Sequence, residues 1–347
     1  VPTKNKIKIF LVSDPTPFAL TDVYHGYLRA MQKLEIDHDG YPFHGFHQLL
    51  QPPICYSMAH STALIKSNEF THVMFIGGLN IPNFILESFY DIKTIVVSTE
   101  DPHCWSPMME KLPNIDYYFT NERSIANSSR FKNVYYCPTA ADDFECKKIP
   151  KNQLDPKFHS DIVFIGAMYP NRRKLFEDVL PFIKANNINL KLGGHMNYMP
   201  KSSPLWEYVV KNDTIDHNDT IDYYNGSKIV VNIMRDIKWN PKTRSQKNPN
   251  NKSRFIGESL NPRAYEIGMC QGFQLLEDTR SEARDVFTED EVGFFSDSKT
   301  LQKQIERYLG DDKLREEAAF KAYKKVALKH SYTHRLNSIL EVIQRDL

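Results

Sequence analysis

Short apolar runs alternate with amphipathic stretches along most of this chain. Residues 6–13 read KIKIFLVS, a strand with no polar alternation at its centre. Positions 23, 27, 28, 31 and 34 then repeat at helical spacing, which predicts a helix over 22–34. Further strands are predicted at 71–77 (THVMFIG), 94–98 (TIVVS), 117–120 (YYFT) and 134–137 (VYYC). Strands that are apolar throughout, with helical segments between them, indicate a parallel sheet covered on both faces. Residues 147–159 are polar, contain two prolines and show no periodicity, so they read as a linker. The pattern then restarts with a strand at 161–166 (DIVFIG) and a helix over 169–185, broken or kinked near Pro181. Later strands fall at 190–193, 228–233 and 272–276, and helices at 301–309 and 312–330. Two successive α/β units, of about 150 and 180 residues, are the simplest account.

Composition narrows the class. The chain has 347 residues, 41% of them apolar and 25% charged, which is enough for two cores and argues against global disorder. Lys and Arg number 44 against 43 Asp and Glu, so a chain built as a polycation for nucleic acid is excluded, while a local basic patch is not. No apolar run approaches the roughly 18 residues of a membrane-spanning helix, and residues 1–6 lead into a strand without the apolar region of a signal peptide. Five cysteines, at 55, 104, 137, 146 and 270, form no CxxC pair. Together these features lead us to expect free thiols and a cytoplasmic protein. Asn-x-Ser/Thr triplets at Asn127, Asn212, Asn218, Asn225 and Asn251 read as chance in an Asn-rich chain.

One segment departs from the alternation. Residues 238–254 carry Lys238, Lys242, Arg244, Lys247, Lys252 and Arg254 with no acid, two prolines and four asparagines. Such a stretch predicts a long exposed loop that buries almost nothing, either a solvated insertion or a phosphate- or acceptor-binding loop. It leads into Glu258-Ser-Leu-Asn-Pro-Arg-Ala-Tyr-Glu266. Asn261 can cap a helix, Pro262 suits its first position and Gly272 can end it. The N-terminus of that helix points toward the carboxyl ends of parallel strands, where α/β folds bind ligands. Its free N–H groups and partial positive charge suit a diphosphate, and Arg263 in the first turn adds a bidentate donor. Glu266, one turn deeper, can accept hydrogen bonds from neighbouring ribose hydroxyls.

These residues resemble a known family. Glu258 and Glu266, with seven residues between them and followed by Gly272, resemble the E-x7-E motif of GT-B glycosyltransferases of the family-4 type. The longer set resembles the CgeB-like (spore maturation protein) family, whose C-terminal domain is glycosyltransferase-1-like. That set comprises 261–266, Gly272-Phe, Glu277-Asp278, 292–297 and 330–335, with Phe164-Ile-Gly166, Arg172-Arg173 and 224–232 upstream. It covers about residues 160–340; residues 99–103, 116–121 and 134–141 match the first half less tightly. The basic loop is longer than in most relatives, and Ser-Leu-Asn-Pro replaces the Gly-Phe-Gly run usual after the first glutamate.

The resemblance implies a GT-B type α/β fold, two Rossmann-like domains facing each other across a cleft. The implied domains are an N-terminal, acceptor-side domain (1–150), a nucleotide-sugar-binding domain (160–326) and a C-terminal helix (327–347) crossing back. It implies transfer of a sugar from a nucleotide-sugar, expected to be a UDP-sugar, to an acceptor hydroxyl, with retention and without metal or other cofactor. Donor binding would fall to Gly166, Arg172 or Arg173, Asn261, Arg263 and Glu266, with Glu258 on sugar hydroxyls. Asp101 or His103, after the strand at 94–98, would act as base or orient the acceptor, which could be a polysaccharide, a protein or a small molecule. Two alternatives keep the fold: the same chemistry on modified DNA bases, with loop 238–254 gripping phosphates, or a non-catalytic binding scaffold. Asp37-His-Asp39 has the D-x-D form of a metal-binding motif but lies in a polar connection. His38, His44 and His47 lack partners at ligand spacing, so no metal site is expected.

Overall fold

The computed structural model describes residues 7–14, 19–43, 61–62, 66, 69–89, 91–128, 130–239 and 247–346. His44, His47, Cys55, Lys242 and Arg244 lie outside them. The chain divides into two compact units. Unit 1 comprises Val1–Thr139, Ile237–Gly257 and Tyr332–Leu347; unit 2 comprises Ala140–Asp236 and Glu258–Ser331.

Among the described residues, each unit holds one six-stranded, all-parallel sheet. In unit 1 the order is β2-β1-β3-β4-β5-β6, with β1 Lys8–Ser13, β2 Asp37–Tyr41, β3 His72–Ile76, β4 Lys93–Val97, β5 Tyr117–Thr120 and β6 Val134–Tyr136. In unit 2 it is β12-β11-β10-β7-β8-β9, with β7 Ser160–Ile165, β8 Leu190–Gly193, β9 Val209–Lys211, β10 Ser227–Asn232, β11 Gln274–Glu277 and β12 Gly293–Phe295. Side chains alternate between two separate cores in unit 2. Val163, Ile165, Val230 and Leu276 join one, while Ile162, Phe164, Ile229, Val231 and Leu275 join the other. Both faces are therefore apolar, which is why these strands lack polar alternation.

Three readings are corrected. The D-x-D segment is not a polar connection but edge strand β2, pairing Lys8 with Asp37 and Phe10 with Asp39. An edge strand faces water on one side and can carry charge there, so its polarity hid it. Helix α1 (Ala19–Lys33) precedes it, and helix α2 (Trp105–Met109) follows β4. Helix α3 (Pro170–Ala185) runs unbroken with Pro181 inside it, so of the two expectations there, a break or a kink, the break is set aside. Finally, the described part of the basic segment buries more than expected. Trp239 and Asn251 are buried, a single 3-10 turn forms at Pro249–Asn251, and the segment bonds to α2 through Lys252 N to Ser106 Oγ at 2.9 Å. Asn248 Nδ2 donates to His103 O at 3.3 Å, and the Trp105 and Phe255 rings meet edge to face at 6.3 Å. Aromatic and amide groups, overlooked among the cations, do this anchoring; Lys238, Lys247, Lys252 and Arg254 are exposed.

The end of the described chain belongs to unit 1. Helix α4 (His217–Gly226) precedes β10, helix α5 (Pro262–Met269) precedes β11, and α6 (Asp312–Lys329) lies against α5. Helix α7 (Tyr332–Ile343) instead lies along α1. The Tyr332 ring sits where a Cβ on Gly26 would come within 2.2 Å, and buried Arg335 donates to Pro138 O at 2.8 Å and Thr139 O at 2.9 Å. No helix among the described residues is long and apolar enough to cross a membrane.

Candidate functional site

Strand order locates a site in unit 2. From β7 the sheet grows to β8 and β9 on one side, then restarts with β10 on the other. Loops leaving β7 and β10 therefore diverge, opening a crevice at their carboxyl ends. The β7 loop begins with Gly166, whose N–H bonds Gly193 O at 2.8 Å. At φ +151° a Cβ here would come within 2.8 Å of an Arg263 guanidinium nitrogen. Gly194 (φ +114°) is closer still, its Cβ position lying 2.6 Å from Gly166 O. Glycine at both positions lets two loops and an arginine meet.

Two helix N-termini lie at this edge. Helix α3 starts four residues after Gly166, with no side-chain cap on Tyr169. At the second, Asn261 caps α5 by accepting from Ala264 N at 3.1 Å. Asn261 is itself fixed: its amide exchanges hydrogen bonds with Asn232, at the end of β10, at 2.9 and 3.1 Å. Gln274 of β11 donates to Ala264 O at 3.0 Å and completes the network. Donors and acceptors pair off almost fully, so the cap is held from two strands.

Three arginines converge here. Arg172 is buried; its Nη1 donates to Ala167 O at 2.9 Å, and its guanidinium lies 5.5 Å from the Phe164 ring centre and 5.1 Å from that of Tyr169. Arg263 lies over Phe164 at 5.8 Å, and Arg235 over Tyr169 at 5.2 Å. Burial first, and then the charge of Arg263, press Arg172 down to about 9, with Arg235 pushing the same way. The Nε atoms of Arg172 and Arg263 are buried without a hydrogen-bond partner. Glu277 opposes this charge from the end of β11. Its carboxylate accepts from Met234 N at 2.7 Å, and burial raises its pKa despite that bond and the nearby Arg172. Three guanidinium groups beside two helix N-termini and a glycine loop are an arrangement chemically suited to an anion.

The other candidate residues are placed as follows. Arg173 points to Glu177 at 3.7 Å, and Ser203 shares that carboxylate at 2.6 Å. The structure thus sets Arg172, not Arg173, with Arg263 and Gly166. Glu266 is half-buried on α5, where its charge reaches Tyr224 and Cys146, which lies by Cys270 and His217. Glu258 is also half-buried, and its carbonyl accepts from Glu282 N at 3.1 Å. Buried Glu282 in turn receives Leu260 N at 2.5 Å, fixing the approach to α5.

In unit 1, Asp101 is 4% exposed. Its Oδ2 accepts from Thr120 Oγ1 at 2.7 Å and Tyr118 Oη at 2.8 Å, and Asn121 brackets its backbone at 2.9 and 3.0 Å. Burial lifts its carboxyl to about 6. His103 is half-buried two residues on. Asp37 and Asp39 pair with Lys8 and Lys66, and no three metal-ligating side chains cluster among the described residues. Sequence reasoning missed Arg235, Glu277 as a charge partner, and the Asn232–Gln274 amides. The one available signal was position: Asn232, Gln274 and Glu277 lie within or end strands of the crevice, and Arg235 follows β10 by three residues.

Comparison with known proteins agrees with this geometry. A family model described as glycosyl transferase-like matches residues 172–341. The spore protein CgeB of Bacillus subtilis is 29% identical over 193 residues, 53% of this chain and 56% of CgeB, so the chain spans little more than half of that relative. Solved structures resemble the whole fold at low identity. An α-glucosyltransferase in complex with UDP and a mismatched 13-mer DNA superposes with a TM-score of 0.68 at 11% identity, over 97% of this chain and 99% of that one. For the sucrose-phosphate synthase of Thermosynechococcus elongatus the values are 0.66 and 12%, over 98% of both chains. HepE of Anabaena, in complex with UDP and glucose, gives 0.60 and 12% over 98% and 100%. Residues 172–341 are thus similar to glycosyl transferase-like proteins, about half of the chain is similar to CgeB, and the fold is of the GT-B type.

Proposed function

We propose that this protein transfers a sugar from a nucleotide-sugar, of the UDP class, to an acceptor hydroxyl. The observation that supports the reading is the arginine cluster of unit 2: buried Arg172 on Ala167 O and half-buried Arg263 against Gly166, beside the capped N-terminus of α5. Breaking the anomeric bond leaves negative charge on the departing diphosphate. Fixed guanidinium groups and backbone N–H donors stabilise that charge as it develops, with no metal required. Glu266 is assigned to the ribose hydroxyls and Glu258 to the sugar. The E-x7-E spacing supports retention at the anomeric carbon. On the acceptor side, Asp101 holds the strand-end turn and His103 orients the acceptor or accepts its proton.

A polysaccharide, a protein or a small molecule would each serve as acceptor. DNA is the second reading, supported by the exposed Lys238, Lys247, Lys252 and Arg254 and by the α-glucosyltransferase–DNA complex among the structural neighbours. Phosphate contacts would make acceptor binding fall steeply with salt; a flat salt response would remove DNA. The donor assignment is tested by thermal unfolding with UDP, GDP, CDP, dTDP and ADP sugars, beside Glu266→Ala. At about 100 times Kd a ligand adds roughly 2.7 kcal/mol. We expect a shift with UDP-sugars that is lost in Glu266→Ala; a protein indifferent to every nucleotide would overturn the reading in favour of a scaffold.

A further inference from the structure

We propose that Cys146 and Cys270 are a redox pair: two thiols that close to a disulfide when a peroxide reaches them, tying the first turn of unit 2 to the end of helix α5. Both are buried in the same core of unit 2, and their side chains are hydrogen-bonded to each other. Each is held from its own side. Cys270 caps the end of α5, its N–H donating to Glu266 O at 3.0 Å. Cys146 closes a single turn, its N–H donating to Asp142 O at 3.0 Å. The amide of buried Asn225 clamps the chain just beyond: Oδ1 accepts from Ile149 N at 2.9 Å, and Nδ2 donates to Lys147 O at 3.1 Å. Lys148, between those two residues, reaches Gln271 O with its Nζ at 3.4 Å.

The neighbours suit thiol chemistry. Cys146 also hydrogen-bonds to His217, and Lys148 lies close enough to Cys270 for their charges to interact. The bond to Cys270, and then burial, push the Cys146 thiol well above its ordinary value, so Cys146 keeps its proton and offers it to Cys270. Cys270 thus receives a hydrogen bond and faces a cation, and the attack on the oxidant is assigned to it. Its sulfur attacks the peroxide O–O bond, giving a sulfenic acid and one water. Cys146 then attacks that sulfur, its proton passing through His217 to the hydroxide that leaves as the second water. Two thiols together lose two electrons, and one peroxide is reduced to two waters. Cys146, Cys270 and His217 are all described, and they are not arranged to hold a metal ion. The cover over Cys146 is a surface turn, with Asp143, Phe144, Lys147 and Lys148 exposed, so local opening of that turn admits a small oxidant. Cys137, also buried, lies beside the Tyr27 hydroxyl at 3.8 Å instead and serves as an internal control.

The test treats the reduced full chain with a small excess of hydrogen peroxide and maps its peptides without reduction. Cys146 joined to Cys270 should be the major linked species, with Cys137 still reduced. The linked protein should melt several degrees above its reduced form, and a reductant should reverse that shift. Cys146→Ser should neither link Cys270 nor shift; Cys270→Ser serves if that variant folds poorly, and the wild-type map needs neither. Recovery of both residues as free thiols would overturn the inference. So would Cys270 recovered as a sulfinic acid without a link, either residue joined to another cysteine, or a link that leaves melting unchanged.

Discussion

Arg172 shows how a single buried charge can be costly to the empty protein and useful to the occupied one. Its guanidinium is desolvated and repelled by Arg263 and Arg235, with Tyr169 and Glu277 in partial compensation. Replacing a buried charge by an apolar group of similar length is often neutral or stabilising. Arg172→Met should therefore unfold within about 1 kcal/mol of wild type, since it also gives up the bond to Ala167 O. Its UDP-induced thermal shift should nevertheless vanish; a retained shift would remove Arg172 from the anion site. Asp101 behaves differently. Its pKa lies above the usual 3.8, at about 6, with burial outweighing the hydrogen bonds from Thr120 and Tyr118. A raised carboxyl means that the folded state favours the protonated form. This contribution to stability is full below pH 3.8 and is lost as pH rises through about 6. The difference is worth ~3 kcal/mol. Asp101→Asn should flatten the decline in urea stability across that window and equal or exceed wild type at alkaline pH. A variant with the wild-type slope would show that the carboxyl is not the source.

Elements carry the next level of constraint. The Gly166 and Gly194 loops meet so closely that the Gly194→Ala Cβ would press on the Gly166 carbonyl, at a φ that disfavours any side chain. Both effects act on unit 2, and together should cost roughly 2–4 kcal/mol in chemical denaturation. If the cost is under half a kcal/mol, the two loops can part and the crevice is softer than described. Much of this level was legible in the chain. The strand at 190–193 and the helix cap at Asn261 follow from apolar runs and from Asn-Pro chemistry, because both are local. Strand order is not local, so the divergence of β7 and β10, and with it the meeting of Arg172, Arg235 and Arg263, could not be read from spacing. Edge strand β2 escaped for another reason: its charged residues satisfy solvent and lysines instead of a core. The basic segment was misjudged because charge dominated its composition, while Trp239 and the amides of Asn248 and Asn251 fix its position in unit 1.

At the scale of the whole molecule, the two units are not two stretches of sequence. Unit 1 gathers three segments, with α7 lying along α1 and Arg335 bonding the backbone at Pro138 and Thr139. Arg335→Ala would leave the Pro138 and Thr139 carbonyls without their buried donor and should lower unit 1 stability by about 2–3 kcal/mol. Thermal unfolding followed by near-ultraviolet signals from Tyr27 and Tyr332, whose rings lie 5.1 Å apart, would report it. A loss of that signal with no change in the midpoint would mean that α7 is an attachment and not part of the unit.

The segmentation of unit 1 bears on how the protein is made. On a ribosome the strands β1–β6 are complete once residue 136 has emerged, yet the face of α1 that receives Tyr332 has to wait for nearly two hundred further residues, among them all of unit 2. During that interval the nascent unit 1 exposes apolar surface that only a distant part of the same chain can cover, a setting in which chaperones and translation speed decide yield.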